Sequence, residues 1–258
     1  MIVPHLSVPS RSRAVAARAL FPREHGLWCW VAAPLVGAAL LAPSIGSTLA
    51  ALSVLALFGA GNAARASAWG PASAATATSA ALGIGALPFL YAPGLWILTL
   101  ALLVVGGAVT IESAGRAVGR KVEDHTRYEL GAIGGFVGVG AAIAVAAGTP
   151  VAVAAAVGLA LLTWQVTGLW WVRGQLARVL TGREPWRAGA PVVAALTVGI
   201  IVTAFLIDAP LLGAVPALYA VRARLTRPAT SGRDARRIGL SEAGWTVAAT
   251  VIAAMGVL

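Results

Sequence analysis

The sequence predicts an all-α, polytopic transmembrane helical bundle of about nine spans, with the N-terminus inside and the C-terminus outside. Three observations carry this. Of 258 residues, 59% are apolar and only 11% charged, and mean hydropathy is +0.86, far from the balance of soluble domains. Apolar runs long enough to cross a bilayer recur along the chain. The basic residues fall in alternate loops only.

A spanning helix needs roughly 20 apolar residues, because about 30 Å of hydrocarbon is crossed at 1.5 Å per residue. Such runs occupy Leu27–Ala42, Ile45–Ala64, Pro71–Tyr91, Gly94–Ile111, Leu130–Gly148, Val151–Val172, Ala188–Ile207, Ala209–Val221 and Gly239–Leu258. Pro71–Tyr91 is weakened by Ala, Ser and Thr. Ala209–Val221 is short and carries Pro210 and Pro216, so whether it spans fully stays open.

Orientation follows from charge. All 19 Lys and Arg residues lie before the first run or in the loops after the second, fourth, sixth and eighth. The intervening loops, near Pro43, Ala92, Thr149 and Asp208, carry none. Lys and Arg accumulate in short cytoplasmic loops, so the basic side is the inner one. Residues 1–20 read as a polar cytoplasmic tail and 21–258 as a single transmembrane domain. The long basic stretch before the first run favours a retained helix over a cleaved signal peptide. The formal charge of +10 therefore reports orientation, and nucleic-acid binding is excluded because no basic face or binding module gathers the arginines. Cys29 alone forms no internal disulfide.

Trp28, Trp30, Trp96, Trp170, Trp171 and Trp245 fall near expected helix ends, where indoles anchor in the headgroup zone. Gly131, Gly134, Gly135 and Gly138 are expected to let helices approach closely. They belong to no P-loop or dinucleotide fingerprint.

Eight of the nine acids, all but Asp208, sit in or beside the basic loops, so a site would open on the cytoplasmic face. No ionisable group is expected deep in the bilayer, which weighs against ion-coupled transport. Three stretches are candidates for chemistry. In Phe21–Trp28, consecutive Arg23, Glu24 and His25 reach different partners; His25 titrates near neutrality and is the leading acid/base group, with Glu24 beside it. The plain alternative is an interfacial cap. From Glu112 to Glu129, the four-residue steps Glu112, Arg116, Arg120 and Asp124, then His125 and Glu129, could hold a phosphate and Mg²⁺, or be ordinary ion pairs. Beyond that Mg²⁺ option no cofactor is implied, and no metal-ligand spacing is present. Third, Trp171–Leu176 and Ala220–Leu225 resemble each other weakly through Val-Arg and Leu. Their arginines, Arg173 and Arg222, read first as topology signals touching lipid headgroups.

Phe21–Trp28 resembles the Pro-Arg/Lys-Glu-His-Gly-Ala-Trp signature of the YwiC-like family of bacterial integral membrane proteins, with Leu27 in place of Ala. Tyr128–Gly131, Trp171–Leu176, Tyr219–Leu225 and Arg236–Gly239 resemble its later charged patches. The resemblance implies a multi-pass protein of the bacterial cytoplasmic membrane, in a family without a settled activity. The layout is also similar to the UbiA prenyltransferase superfamily. The Asp-rich motifs are missing: the loop after the second run reads Gly61-Asn62-Ala63-Ala64-Arg65, and the one after the sixth holds only Glu184.

The functional expectation is a lipid- or isoprenoid-handling protein, an enzyme in its strongest form, with a cytoplasmic mouth. There His25 and Glu24 would be catalytic, and Arg23, Arg65, Arg116, Glu112 and Glu129 would bind an anionic lipid or a phosphate-bearing small molecule. A transporter is the alternative, with Asn62, Thr163, Gln165 and Thr197 as its polar groups. A non-catalytic membrane subunit is the third reading.

Overall fold

A computed structural model describes residues 25–65, 122–181, 190–225 and 232–258. Within them the chain is all-helical. The helices are α1 (His25–Leu41), α2 (Ile45–Arg65), α3 (Val122–Ala146), α4 (Val151–Thr181) and α5 (Ala190–Leu206), then a 3₁₀ turn (Pro210–Gly213), α6 (Ala214–Leu225) and α7 (Gly232–Met255). They correspond to seven of the nine expected runs; Pro71–Tyr91 and Gly94–Ile111 lie outside the described residues. Two of the described helices, through Glu129–Ala146 and Val151–Gln175, are long and apolar enough to cross a membrane.

Helices α1, α3, α4 and α7 form the centre; α2 lies against α1 and α3, α5 against α4, and α6 against α7 and α4. The packed residues give the directions. Ala38 at the end of α1 and Ile143 and Ala144 at the end of α3 share a cluster with Ala50 and Ala154, near the starts of α2 and α4. Leu212 of the 3₁₀ turn packs with Ala204, Ala156 and Ala253. The tight turns therefore gather at one end of the bundle with the C-terminus of α7. Trp30, Ile133, Val166 and Leu169 pack towards the other end, which carries the basic residues.

The two ends are built differently. At the turn end, each helix is stopped by local chemistry. The Ser44 hydroxyl accepts the Ser47 N–H at 3.0 Å, and the Ser47 hydroxyl accepts the Ser44 N–H at 3.2 Å, a reciprocal cap on α2. α3 closes with Thr149 N–H to Ala144 C=O and Gly148 N–H to Val145 C=O around a left-handed Gly148. α5 closes the same way, with Ala209 N–H to Ala204 C=O around Asp208 at φ 52°. Each is a Schellman stop with a proline two residues on, Pro150 or Pro210. Asp208, the one acid among the uncharged turns, stands where Asp tolerates the left-handed conformation.

At the basic end the helices run on. α3 begins eight residues before the expected Leu130, α4 continues nine past Val172, and α7 begins seven before Gly239. At 1.5 Å per residue α4 is about 46 Å long, well beyond a hydrocarbon core. The eighth expected run is broken. Its 3₁₀ turn and the 12 residues of α6 reach together about 26 Å, so α6 is no full-length span on its own.

Three packing details add to the sequence reading. A Cβ on Gly131, Gly134, Gly135 or Gly138 would meet no described atom within 4 Å, so these glycines do not mediate a described helix contact. The close approach is at Gly140 instead, where a Cβ would fall 2.5 Å from the Pro34 carbonyl oxygen. Pro34 in turn lacks the N–H that would bond the Trp30 carbonyl, and Gln165 Nε2 of α4 donates to that carbonyl at 3.2 Å. Gln165, a transport candidate by sequence, repairs a proline defect. Finally, Trp30 and Trp170 pack against Ile133, Val166 and Leu169, and Trp171 faces Arg222. These indoles pack within the bundle.

Candidate functional site

Helical spacing puts Trp164, Gly168 and Trp171 on one face of α4, Tyr219 and Arg222 on one face of α6, and Glu242 and Thr246 on one face of α7. The three faces meet around Arg222, whose side chain is 0% exposed. Its Cζ lies 4.7 Å from the Tyr219 ring centroid, 5.2 Å from Trp164 and 5.4 Å from Trp171. Nη1 stands 3.0 Å from Glu242 Oε2, and that carboxylate is 7% exposed. Gly168 leaves room for the pair: a Cβ there would lie 3.4 Å from Oε2 and 3.7 Å from Nη1. Trp164 is held in place by its Nε1–H, which donates to Thr246 Oγ1 at 3.0 Å.

The rings supply cation–π attraction, yet the polar atoms are poorly matched. The Nη1–Oε2 approach joins opposite charges without hydrogen-bond alignment, since Arg222 Nε, Nη1 and Nη2 are all buried and none hydrogen-bonds to a protein acceptor. Glu242 Oε1 and the buried Trp171 Nε1 also lack hydrogen-bond partners among the described residues. Donors outnumber acceptors here. Unmatched buried polar groups cost about 1–3 kcal/mol each, more when charged, so this arrangement is held against its own desolvation by the surrounding packing.

Beside the pair lies a cavity of about 90 Å³ between α4, α5 and α6. Thr163, Trp164 and Thr167 line it from α4, Val193 and Thr197 from α5, and Tyr219 from α6. Thr163 and Thr167 turn their hydroxyl hydrogens back to their own helix, which leaves oxygen lone pairs as the local acceptors. The volume is well above the ~10–15 Å³ one water needs. Trp164 and Tyr219 are common to the cavity wall and the Arg222 cage.

Of the residues singled out by sequence, Arg23, Glu24, Glu112 and Arg116 lie outside the described residues. The backbone puts His25 at the start of α1 and Arg65 at the end of α2, both at the basic end; their side chains are not described. Glu129 of α3 hydrogen-bonds Arg173 of α4, with side chains 23% and 28% exposed. That contact fits the ordinary ion-pair alternative for Glu129. Among the described residues no three His, Cys, Asp or Glu side chains cluster as a metal site.

The buried pair corrects two expectations. Arg222 is enclosed by rings and does not reach headgroups. Glu242, counted among the acids in or beside the basic loops, is buried against Arg222 within α7, so an ionisable pair does sit within the bundle. The signal was present: Glu242 is the only charged residue in Gly239–Leu258. The weak likeness of the Arg173 and Arg222 stretches has a structural counterpart too, since each arginine meets a glutamate of a Glu-x-Gly step, Glu129-Leu130-Gly131 or Glu242-Ala243-Gly244. No protein-family model, curated protein or solved structure matches this chain.

Proposed function

We propose that the chain is a nine-span protein of the bacterial cytoplasmic membrane, N-terminus inside and C-terminus outside, that handles a lipid or isoprenoid from its cytoplasmic half. The observation that carries this is the cavity between α4, α5 and α6, apolar with hydroxyl edges and sharing two walls with a buried arginine. An amphiphile needs that combination: apolar surface for its chain and cationic donors for its head. Membrane residence is supported by the outward faces of the helices, where Val198, Ile201, Phe205, Val247 and Met255 are exposed in a way water penalises. The likeness of Phe21–Trp28 to the YwiC-like signature agrees with it. In the enzymatic form of this reading, Glu24 and His25 act at the basic end.

Thr197→Trp fills the cavity from the peripheral helix α5. Lipid that copurifies with the wild-type chain in mild detergent should be lost from this variant, and an unchanged lipid content would sink the proposal. Reporters fused at Pro93 and at Leu258 should both be extracytoplasmic; a cytoplasmic signal at Leu258 refutes the threading.

One observation favours a second reading, transport. Ionisable groups buried among membrane helices are costly and mark pathways, and Arg222–Glu242 is such a pair. Solute accumulation in proteoliposomes, abolished by Glu242→Gln, would favour a permease over a lipid-handling protein.

A further inference from the structure

The geometry points to an oxyanion site at Arg222, with Glu242 as the chain's own stand-in for the ligand, and with phosphate-type oxygens as the chemistry it takes. The inference deepens the proposal above and rests on it for the lipid source alone.

The donor balance is the starting point. The five guanidinium N–H groups are buried with one carboxylate oxygen 3.0 Å from Nη1, and Trp171, whose ring centroid lies 5.4 Å from Cζ, carries a further buried and unpartnered Nε1–H. A guanidinium fork matches two oxygens of one anion side by side, whereas Glu242 presents one and leaves Oε1 without a partner. A structural ion pair selected for stability would close its fork. This one is held half-open among the rings of Tyr219, Trp164 and Trp171, whose centroids lie 4.7, 5.2 and 5.4 Å from Cζ and attract the cation without accepting its N–H groups. A tetrahedral oxyanion supplies what is missing: two oxygens for the Arg222 fork and a third for the Trp171 N–H. The neighbouring cavity is the route of access in this inference, because it shares Trp164 and Tyr219 with the cage.

Because Glu242 already occupies Arg222, the ligand binds by exchange. Its oxygens replace Oε2 on Nη1, and the carboxylate is displaced towards Gly168, which has no side chain to oppose it. Glu242 is then a built-in competitor that lowers affinity and lets the anion leave. Neutralising it should tighten binding, the opposite of what a merely structural pair predicts.

The test uses the full chain in an uncharged maltoside detergent, with affinity measured calorimetrically for inorganic phosphate, dihexanoyl phosphatidic acid and dihexanoylglycerol. Wild type should bind the two phosphate compounds and not the phosphate-free diacylglycerol. Glu242→Gln should bind phosphate several-fold more tightly, up to about tenfold. Arg222→Gln should lose binding. Trp171→Phe keeps a ring on the guanidinium but removes one donor, and should bind several-fold more weakly; it serves where an Arg222 variant does not fold. Phosphatidic acid binding much more tightly than phosphate assigns the site to a lipid headgroup, and equal affinities assign it to free phosphate. Equal or weaker binding by Glu242→Gln overturns the inference, as does unchanged binding in Arg222→Gln or Trp171→Phe, or no binding of either phosphate compound at millimolar concentration. If diacylglycerol binds as well as phosphatidic acid, lipid handling survives and the oxyanion site falls. Phosphate bound with neither lipid bound gives the reverse.

Discussion

The bundle holds two arginine–glutamate pairs of similar sequence context and opposite character. Arg173 and Glu129 join α4 to α3 at the basic end, partly exposed and hydrogen-bonded. Arg222 and Glu242 join α6 to α7 in the interior, enclosed by three rings and unaligned. Depth makes the difference. Water relieves the first pair of most of its desolvation and screens its attraction. The second has left water, so each charge depends on the other and on aromatic faces. What looks alike as Val-Arg in sequence is a boundary contact in one case and a strained internal site in the other.

The largest effect should come from removing half of the inner pair. Arg222→Gln leaves the Glu242 carboxyl buried without its counter-charge, and breaking a buried pair costs about 3–5 kcal/mol. Denaturant titration in detergent should register that loss. Arg222→Met combined with Glu242→Leu removes both charges and should recover most of it, because well-packed apolar replacements of buried pairs are often neutral or stabilising. If the single and double variants are equally unstable, the pair is no more than packing volume, and the contrast with Arg173–Glu129 fails.

A smaller effect isolates crowding from charge. Gly168→Ala puts a methyl 3.4 Å from Glu242 Oε2 and 3.7 Å from Arg222 Nη1, ordinary contact distances that leave the pair in place. Its stability should change by less than about 1 kcal/mol, because the methyl meets its neighbours at ordinary contact distance and Ala is favoured over Gly within a helix by up to about 1 kcal/mol. The carboxylate displacement inferred above would nonetheless be blocked, so phosphate affinity should fall while stability holds. A loss of stability of several kcal/mol would mean that the pair fills its space with no tolerance.

These contrasts mark how far the sequence could be read. Seven apolar runs reappear as helices, because the outward-facing and core-facing residues of these helices are alike apolar and run length alone separates helices from turns. The turn-end boundaries follow from Pro43, Pro150 and Pro210 with their flanking caps. The basic-end boundaries did not follow, because α3, α4 and α7 continue as charged helix after apolarity ends, and hydropathy cannot see helix made of Arg, Glu and Gln. The site was missed for a related reason. Arg222 and Glu242 each sit a few residues from the expected loop between the last two runs, where charge is expected, and the packing of the short α6 against α4 and α7 brings Arg222 onto Glu242. Candidates chosen by motif, His25 and Glu24, lie at or beyond the edge of what the structure describes. Gln165 was legible as polar but not as the partner of a carbonyl freed by Pro34, a contact 135 residues away in sequence.

The smallest effect should belong to the outer pair, and its salt dependence sharpens the comparison most. Partly exposed pairs are worth roughly 0–1 kcal/mol, so Arg173→Gln and Glu129→Gln should each lower stability by less than about 1 kcal/mol. The screening length shortens from about 10 Å at 0.1 M salt to about 3 Å at 1 M. That range should erase what little the outer pair contributes, making wild type and Arg173→Gln equally stable at high salt. In a phosphate-free salt the difference between wild type and Arg222→Gln should change far less across the same range, because a guanidinium with no exposed surface is not screened as a surface charge is. A salt-sensitive inner pair would place it in contact with water, and with that the physical distinction between the two arginines would vanish.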